Sequence, residues 1–236
     1  MKPYYEQDGI TIYHGDCREV LPSLSGVGLV LTSPPYNLSA EGNVPTGSEF
    51  KALSKGYLEH ADAMDPGEYR EWQKEVLRAS WGALSEDGAI YYNHKPIVKG
   101  NQAKLPTDLV PGELPIRQIV IWDRGSGHIR VPTFYVPTQE WIVIIAKPDF
   151  RITSTTVNDI WRIPFETGSE HPAPFPLTLA RQAVTTTTAS LVVDPFMGSG
   201  TTLRAAKDEG RKAIGIEISE RYCEIAVNRL AQGVLF

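Results

Sequence analysis

Residues 27–37 read Val-Gly-Leu-Val-Leu-Thr-Ser-Pro-Pro-Tyr-Asn, an apolar run that ends at two adjacent prolines. A continuous apolar run of this kind is typical of a strand buried in a parallel sheet. Two prolines remove two backbone N–H donors and fix φ near about −65°, so we expect the chain to leave the sheet at Pro34 and Pro35 with its carbonyl oxygens held in place. Ser33 offers a hydrogen-bond acceptor just before this corner, and Tyr36 offers a flat stacking surface just after it. An acceptor beside a flat ring suits a nucleobase that carries an amino group.

Near the end of the chain, a predicted strand, a glycine turn and a helix follow one another. The strand Leu191–Asp194 ends on a carboxylate, the turn carries Gly198 and Gly200, and the next predicted strand ends on Glu217. Glycines let a backbone approach a ligand closely, and an acidic residue at the end of the following strand accepts hydrogen bonds from ribose hydroxyls. The pattern therefore indicates an adenosine-bearing cofactor rather than a glycine turn that serves packing alone.

A dinucleotide is the less favoured form of such a cofactor. Leu203 stands where dinucleotide-binding proteins carry their third glycine, and the sequence contains no Gly-Lys-Ser/Thr phosphate loop. Both observations disfavour a pyrophosphate ligand. An oxidoreductase built on the same kind of sheet is therefore the weaker alternative.

Predicted strands and helices alternate at both ends of the chain. The strands lie over Gly9–His14, Val27–Leu31, Ala89–Tyr92, Ile116–Trp122, Trp141–Ala146, Leu191–Asp194 and Lys212–Glu217. The helices lie over Arg18–Leu24, Pro66–Leu84, Leu177–Thr188, Thr201–Glu209 and Ser219–Leu230. Residues 38–56 lack periodicity and predict a loop or lid, whereas residues 97–112 predict a loop, with a short helix as the alternative. The alternation predicts an α/β fold with a doubly wound, mostly parallel sheet.

Length and composition favour one domain over residues 1–236, because 42% apolar residues can bury one substantial core. The first residues lack the apolar core of a signal peptide, and no apolar window is long enough to span a membrane. We therefore expect a soluble, cytoplasmic protein without a membrane partner. Cys17 and Cys223 lie far apart without metal-ligand spacing, so we expect reduced thiols and no metal site.

Charge is distributed unevenly along this acidic chain, whose formal net charge is −5. From residue 94 to residue 162 the sequence carries nine Lys and Arg against six Asp and Glu, whereas the remainder carries fourteen against twenty-two. The middle of the chain is therefore the part expected to face a polyanion. Ordinary solvated charges in a loop region are the alternative.

The two motifs together resemble the DNA amino-methyltransferases that use S-adenosylmethionine, and the resemblance covers most of the chain. It rests on Thr32-Ser33-Pro34-Pro35-Tyr36, on residues 194–201 and on Gly215-Ile216-Glu217. The catalytic motif precedes the cofactor motif, which is similar to the permuted, beta-type order within that family. The resemblance implies a Rossmann-like methyltransferase fold, circularly permuted, in which the chain enters at the third strand and reaches the first only at Leu191. It also implies a small inserted target-recognition region over about residues 97–165.

The resemblance implies a binding role for each part of the glycine motif. Phe196 and residues 198–200 (Gly198, Ser199 and Gly200) would face the methionine part of S-adenosylmethionine. Glu217 would face its ribose, and Asp16 would approach its adenine. The full expected cofactor set is Asp16, Cys17, Thr32, His171, Phe175, Asp194, Phe196, Gly198, Ser199, Gly200, Thr201 and Glu217. Two positions depart from the family pattern: many members carry a lysine near the position of Phe175, and an acidic residue where this chain has Gly28.

By the same resemblance, Ser33, Pro34, Pro35 and Tyr36 form the catalytic segment. An exocyclic amine conjugated to its ring is a poor nucleophile, and its lone pair becomes available when Ser33 Oγ and the Pro34 carbonyl accept its two hydrogens. The base must first leave the duplex stack, after which Tyr36 would stack on it. Because no covalent enzyme intermediate is needed, we expect Cys17 to be a buried thiol rather than a nucleophile.

Polar residues of the middle region are the candidates for contacts with DNA. The expected set is Asn37, His94, Lys95, Arg124, His128 and Arg130. A structural hydrogen-bonding role is the alternative for His94, and solvated charge is the alternative for the loop cations. Trp72 and Trp81 are expected in the core rather than stacked on a base.

Ser33 and the missing lysine resemble N4-cytosine enzymes more than N6-adenine enzymes, which often carry Asp at the first motif position. The alternatives are adenine N6, an RNA or a protein amide, and a DNA-binding module without chemistry. We expect double-stranded DNA as substrate and, because the recognition region is short, a homodimer. The resemblance also allows for a cognate restriction enzyme as a partner and for a prokaryotic or phage origin.

Overall fold

The computed structural model describes residues 1–37, 64–99, 101–127, 132–165 and 175–231. The loop or lid expected over residues 38–56 lies outside these ranges. The described strands are β1 Tyr5–Gln7, β2 Ile10–His14, β3 Val27–Thr32, β4 Leu84–His94, β5 Ile97–Lys99, β6 Gln102–Lys104, β7 Ile116–Asp123, β8 Gln139–Ala146, β9 Ile160–Arg162, β10 Leu191–Asp194 and β11 Lys212–Glu217. The α-helices are α1 Cys17–Val20, α2 Pro66–Ala83, α3 Leu177–Thr185, α4 Thr201–Asp208 and α5 Glu220–Ala231. Short 3-10 turns cover Leu21–Ser23 and Pro106–Leu109.

Nine of these strands form one sheet in the order β1-β2-β11-β10-β3-β4-β8-β7-β9. The five neighbours β2, β11, β10, β3 and β4 run parallel to one another. β10 lies in the middle of this parallel block although the chain reaches it only at Leu191. The mostly parallel sheet and its permuted strand order are therefore confirmed.

Three strands of the expected recognition region, β7, β8 and β9, extend this sheet. β8 pairs antiparallel with β4, and β7 pairs antiparallel with β8. β9 adds a parallel edge strand beside β7. Residues 97–112, expected as a loop, contain the hairpin of β5 and β6 and a 3-10 turn. Whether this region reads the DNA target stays a prediction.

Helices cover both faces of the sheet, as expected for a doubly wound fold. On one face α3, α4 and α5 contribute buried side chains such as Leu179, Leu203 and Ala226 to the first apolar cluster. On the other face α1 and α2 contribute Val20 and Leu77 to the second cluster. Full burial of a side chain of this size stabilises the fold by roughly 1.5–3 kcal/mol. The two layers hold the parallel strands rigidly, so their carboxyl ends form a fixed edge.

Local sequence explains how β3 and α2 fit this architecture. Leu29 and Val30 are completely buried on opposite faces of β3, which is why the strand reads as a continuous apolar run. A Cβ on Gly28 would lie 2.8 Å from Cα and Cβ of Ala189, so close packing against this residue excludes a larger side chain at position 28. Asp65 caps α2 as predicted, accepting from the amides of Gly67 at 2.8 Å and Glu68 at 3.3 Å.

In the described ranges no helix is long and apolar enough to cross a membrane. The same part of the chain contains no group of three or more His, Cys, Asp or Glu side chains that could hold a metal ion. Cys17 and Cys223 are free and buried, and burial raises the pKa of each thiol to about 12. The expectation that Cys17 is a buried, protonated thiol is confirmed.

Candidate active site

The carboxyl ends of the parallel strands bring distant polar residues to one edge of the sheet. Asp194 ends β10, Glu217 ends β11, and Asp16 follows β2. Ser33 follows β3, and Asn93 lies near the end of β4. Ligands of open α/β sheets bind at this edge. The topology therefore places the cofactor motif and the proline corner side by side.

Asp194 joins these two motifs. Its Oδ1 accepts hydrogen bonds from Thr32 Oγ1 at 3.0 Å and from the amide of Phe196 at 3.1 Å, and its Oδ2 accepts one from Thr202 Oγ1 at 2.6 Å. The side chain is only 2% exposed, and burial raises its pKa to about 6 against the three hydrogen bonds that favour the ionised form. Asp194 thus holds the start of the glycine turn against the residue that precedes Ser33.

The glycine turn is shaped by two left-handed residues and by Glu217. Gly198 has φ 51° and Gly200 has φ 81°, and a Cβ on Gly200 would lie 2.9 Å from Cβ of Ala226. Glu217 Oε2 accepts from the amide of Gly198 at 2.8 Å, and Oε1 accepts from the amide of Ser219 at 3.0 Å. The half-buried carboxylate therefore lies at the glycine turn, and its oxygens are of the kind that accept hydrogen bonds from a ribose diol.

Asp16 lies beside Glu217, because the amide of Gly15 donates to the carbonyl of Glu217 at 2.9 Å. Its carboxylate caps α1 through the amide of Arg18 at 2.8 Å and pairs with the guanidinium of Arg18 at 2.7 Å. The side chain of Asp16 is 28% exposed, so its oxygens remain accessible. Two partly exposed carboxylates at neighbouring strand ends fit the ribose and the amino group of an adenosine.

Three members of the expected cofactor set make contacts within the protein. The hydroxyls of Ser199 and Thr201 accept hydrogen bonds from Arg229 Nη1 at 3.2 Å and 2.6 Å, because the last helix packs against the turn. Both hydroxyls therefore have a partner within the protein, and their contact with the cofactor stays a prediction. Phe175 is 7% exposed within the first apolar cluster. His171 lies outside the described residues.

A hydrogen-bonded cluster forms at the proline corner. Ser33 Oγ lies 2.8 Å from Tyr36 Oη, and Tyr36 Oη donates to Glu140 Oε2 at 2.9 Å. Asn93 Nδ2 donates to Tyr36 Oη at 2.8 Å and to Glu140 Oε2 at 2.9 Å. Arg124 completes the cluster with an ion pair of 3.2 Å to Glu140 Oε1. Ser33 and Tyr36 are half-buried, whereas Glu140 is only 6% exposed.

The second proline is held by its own hydrogen bonds. Tyr69 Oη donates to the carbonyl of Pro35 at 2.8 Å and contacts His94 Nε2 at 2.8 Å. His94 Nδ1 lies 3.0 Å from the carbonyl of Lys95, and its ring packs on Tyr36 with centroids 4.5 Å apart. Burial lowers the pKa of His94 to about 4, so the ring is neutral at physiological pH. His94 therefore has the structural role that was the alternative to a DNA contact.

Two further residues of the expected DNA-contact set are buried and make contacts within the protein. Asn37 is 3% exposed, and its side-chain amide exchanges hydrogen bonds with the backbone of Met64 at 2.7 Å and 2.8 Å. Arg124 is 8% exposed because it pairs with Glu140 inside the cluster. Lys95 is half-buried and stays a candidate, with burial lowering its pKa. His128 and Arg130 lie outside the described residues.

Sequence reasoning missed Glu140 and Tyr69. Glu140 precedes the apolar residues of β8, and a lone acidic residue before such a run carries no local signal. The register of β4 and β8, in which His94 pairs with Trp141, is what brings Glu140 to the strand end. The sequence pattern predicts Tyr69 only as part of the apolar face of α2. By contrast, Trp72 packs against the second apolar cluster, with its ring 5.3 Å from that of Phe196, and Trp81 packs against the same cluster, as predicted.

Comparisons with known proteins agree with this geometry. A family model described as DNA methylase matches residues 27–228. Type II methyltransferase M.ScaI of Streptomyces caespitosus is 28% identical over 272 residues, which cover 97% of this chain and 84% of M.ScaI.

Solved structures give the same result. A protein of Thermus thermophilus, described as a DNA modification methylase and solved with S-adenosyl-L-methionine, is 26% identical with a TM-score of 0.66. The match covers 93% of this chain and 94% of the Thermus chain. The cytosine-N4-specific PvuII DNA methyltransferase has a TM-score of 0.72 at 19% identity, over 100% of this chain and 91% of its own. At this identity the PvuII enzyme supports the fold alone.

Proposed function

The chain belongs to the DNA methylase family, and from that premise we infer that its acceptor is the exocyclic N4 amino group of cytosine in double-stranded DNA. The protein is an S-adenosylmethionine-dependent DNA methyltransferase, and cytosine N4 and adenine N6 are the two acceptors within that activity. The observation that carries the choice of cytosine is Ser33 at the first position of the catalytic segment. Its hydroxyl lies in a polar cluster with Tyr36, where N6-adenine enzymes more often place a carboxylate.

We propose that the cofactor lies against the carboxyl ends of β10, β11 and β2. Glu217 would accept from the ribose hydroxyls and Asp16 from the adenine amino group, while the turn at Gly198 approaches the methionine part. When bound there, S-adenosylmethionine supplies an electrophilic methyl group on a positively charged sulfur. Asp194 positions this turn through its bonds to Thr32 and Phe196.

Ser33 Oγ and the carbonyl of Pro34 would accept the two hydrogens of the target amine. This orientation turns the nitrogen lone pair out of conjugation and toward the methyl group, so catalysis depends on positioning and fixed dipoles. Tyr36 would stack on the flipped base. Tyr69 supports this arrangement because it holds the carbonyl of Pro35.

Methylation of DNA with labelled cofactor, followed by digestion to nucleosides, tests the acceptor. We expect the label in N4-methylcytosine. Label in N6-methyladenine would overturn the choice of cytosine, and label in RNA or in protein in preference to DNA would overturn the substrate. Sequencing the product at single-base resolution then gives the recognition site.

We also propose that the active form is a homodimer that acts in the cytoplasm and is paired with a restriction enzyme. The region from β5 to β9 is short for reading several base pairs in the major groove by itself, which supports two copies on one site. The type II relatives support the restriction partner. Light scattering at working concentration should give twice the monomer mass; a monomer with full activity would contradict the dimer.

A further inference from the structure

Glu140 ends a chain of hydrogen bonds that begins at the proposed reacting group. Ser33 Oγ lies 2.8 Å from Tyr36 Oη, which lies 2.9 Å from Glu140 Oε2. Glu140 is 6% exposed and is held by Arg124 Nη1 at 3.2 Å. Burying a carboxylate lowers the stability of the fold unless the carboxylate is paired and hydrogen-bonded. Both conditions are met at Glu140.

An ionised carboxylate only accepts hydrogen bonds. This property fixes which atom donates in each hydrogen bond between Glu140 and Ser33. Tyr36 has one hydroxyl hydrogen, which it gives to Glu140, so toward Ser33 its oxygen can only accept. Ser33 must then donate its hydrogen to Tyr36. Asn93 reinforces this direction because its amide donates to both Tyr36 and Glu140, while its contact to Ser33 is long at 3.4 Å. Ser33 Oγ is thereby left to act as an acceptor.

We propose that Glu140 is a positioning residue of methyl transfer, which fixes Ser33 as an acceptor for the target amine and receives the proton that the amine loses. This inference rests on the proposed function. It also gives a basis for choosing an amino base over its deaminated analogue, because a carbonyl oxygen would face lone pairs of Ser33 instead of a hydrogen.

The hydrogen-bonded side chains from Ser33 to Glu140 can take up the proton that the amine loses on methyl transfer. The amine lone pair forms the new N–C bond as the C–S bond breaks, and the sulfur keeps that electron pair and becomes neutral. The methylated nitrogen, now positive, gives one proton to Ser33 Oγ as Ser33 passes its own to Tyr36. Tyr36 passes its hydrogen to Glu140, which becomes a neutral carboxylic acid and later releases the proton to water.

Two buried polar atoms of the same cluster support a ligand at this place. Asn93 Oδ1 and Arg124 Nε have no hydrogen-bond partner within the described part of the chain, although Asn93 is 1% exposed and Arg124 is 8% exposed. An unpaired buried polar atom costs free energy, so a ligand that pairs with it at this place would be favoured. The edge of a flipped base carries donors and acceptors that could satisfy them.

The test compares Glu140→Gln with Glu113→Gln, a matched control. Glu113 forms an exposed ion pair with Arg78 at 2.6 Å and is not a member of the cluster of Ser33, Tyr36, Asn93, Arg124 and Glu140. Glutamine keeps the shape of glutamate but has a single acceptor oxygen and cannot take up the proton. We expect Glu140→Gln to lower the single-turnover rate of methyl transfer by roughly 10²-fold, while the Kd for S-adenosylmethionine changes less than about twofold. Glu113→Gln should behave as wild type.

A second readout separates this role from simple structural support. The measurement is the binding affinity for two oligonucleotides, one with the amino base at the target position and one with its deaminated analogue. The analogue is uracil for cytosine and hypoxanthine for adenine. The preference for the amino base should shrink in Glu140→Gln, and Tyr36→Phe, which interrupts the chain, should lower the rate and the preference in the same way. Should Glu140→Gln not fold, Tyr36→Phe alone decides.

A wild-type rate or an unchanged base preference in the variant that folds would overturn the role of Glu140, and so would an equal loss of cofactor affinity. These results differ from a failure of the proposed function, in which the wild-type protein itself would place no label on cytosine. A label on adenine would refute the choice of base and leave the role of Glu140 to be decided with the hypoxanthine pair.

Discussion

The cofactor half and the catalytic half of the site are built in opposite ways. In the cofactor half, Asp194 binds Thr202, only 8 residues away, and Glu217 binds Gly198, 19 residues away. In the catalytic half, Glu140 is 47 residues from Asn93 and 104 residues from Tyr36. The glycine turn of the cofactor half therefore depends on a local motif, whereas the cluster around Glu140 depends on the register of the sheet. Substitutions in the two halves should accordingly fail in different ways.

Removal of the acceptor in the catalytic half should have the largest effect. Ser33→Ala should lower the single-turnover rate by roughly 10²–10³-fold, because one fixed polar group at the reacting atom is lost. Cofactor affinity should be unchanged, since the hydroxyl of Ser33 contacts Tyr36 and Asn93 rather than Glu217 or the glycine turn. Rapid-quench kinetics and titration calorimetry measure the two quantities, and a comparable loss of cofactor affinity would show that the halves are not separable.

The reverse pattern is expected in the cofactor half. Glu217→Gln leaves one oxygen for the amides of Gly198 and Ser219 and for the ribose, so the Kd for S-adenosylmethionine should rise about 10-fold or more. At saturating cofactor the transfer rate should fall much less than in Ser33→Ala. A rate that stays strongly reduced at saturation would instead place Glu217 in the transfer step.

Acidification should change the stability of the fold in opposite directions through one buried group in each half. Asp194 has a pKa of about 6 against an ordinary 3.8, so between these values the folded state binds the extra proton and stability rises as the pH falls. His94 has a pKa of about 4 against an ordinary 6.5, so between these values the unfolded state binds the extra proton and stability falls as the pH falls. Each effect has a slope of at most about 1.4 kcal/mol per pH unit.

Denaturant unfolding of Asp194→Asn and His94→Asn between about pH 4 and pH 6.5 checks this opposition. Relative to wild type, stability of the first variant should gain less on acidification, and that of the second should lose less. Each substitution also changes hydrogen bonds and therefore the stability at neutral pH, so the slope of stability against pH is the quantity to compare. Slopes that change in the same direction would refute the assignment for one of the two groups.

The smallest effect is expected at Lys95, which lies beside the cluster and stays a candidate for DNA. Lys95→Met should weaken DNA binding a few-fold, equally for all sequences, and lower the slope of log K against log salt by about one. Lys2→Met, an exposed lysine before the opposite edge strand, is the control. Weakening confined to one DNA sequence would mean that Lys95 reads a base.

The contrast between local motifs and sheet register also explains which parts of the fold and the site could be predicted from the sequence. Apolar runs predicted β3, β10 and β11, and Asp65 with Pro66 predicted the start of α2, because these signals are local. β1 and β9 escaped prediction, since each has three residues and depends on pairing with a neighbour. For the same reason the sequence did not indicate that Arg229 would bind Ser199, or that Asn37 would bind the backbone of Met64.

The hydrogen bond between Thr32 and Asp194 bears on how such an enzyme can be redesigned. Thr32 is covalently joined to Ser33 and is hydrogen-bonded to Asp194. The paired strands β3 and β10 therefore fix the distance between the methyl-donor site and the amine acceptor. We propose that the residues that choose the DNA sequence lie in the region from β5 to β9, outside these two strands. Replacing the recognition residues with those of another methyltransferase should therefore change the DNA sequence that is methylated. The methyl-transfer step should stay intact, provided that Glu140 and Arg124 are kept.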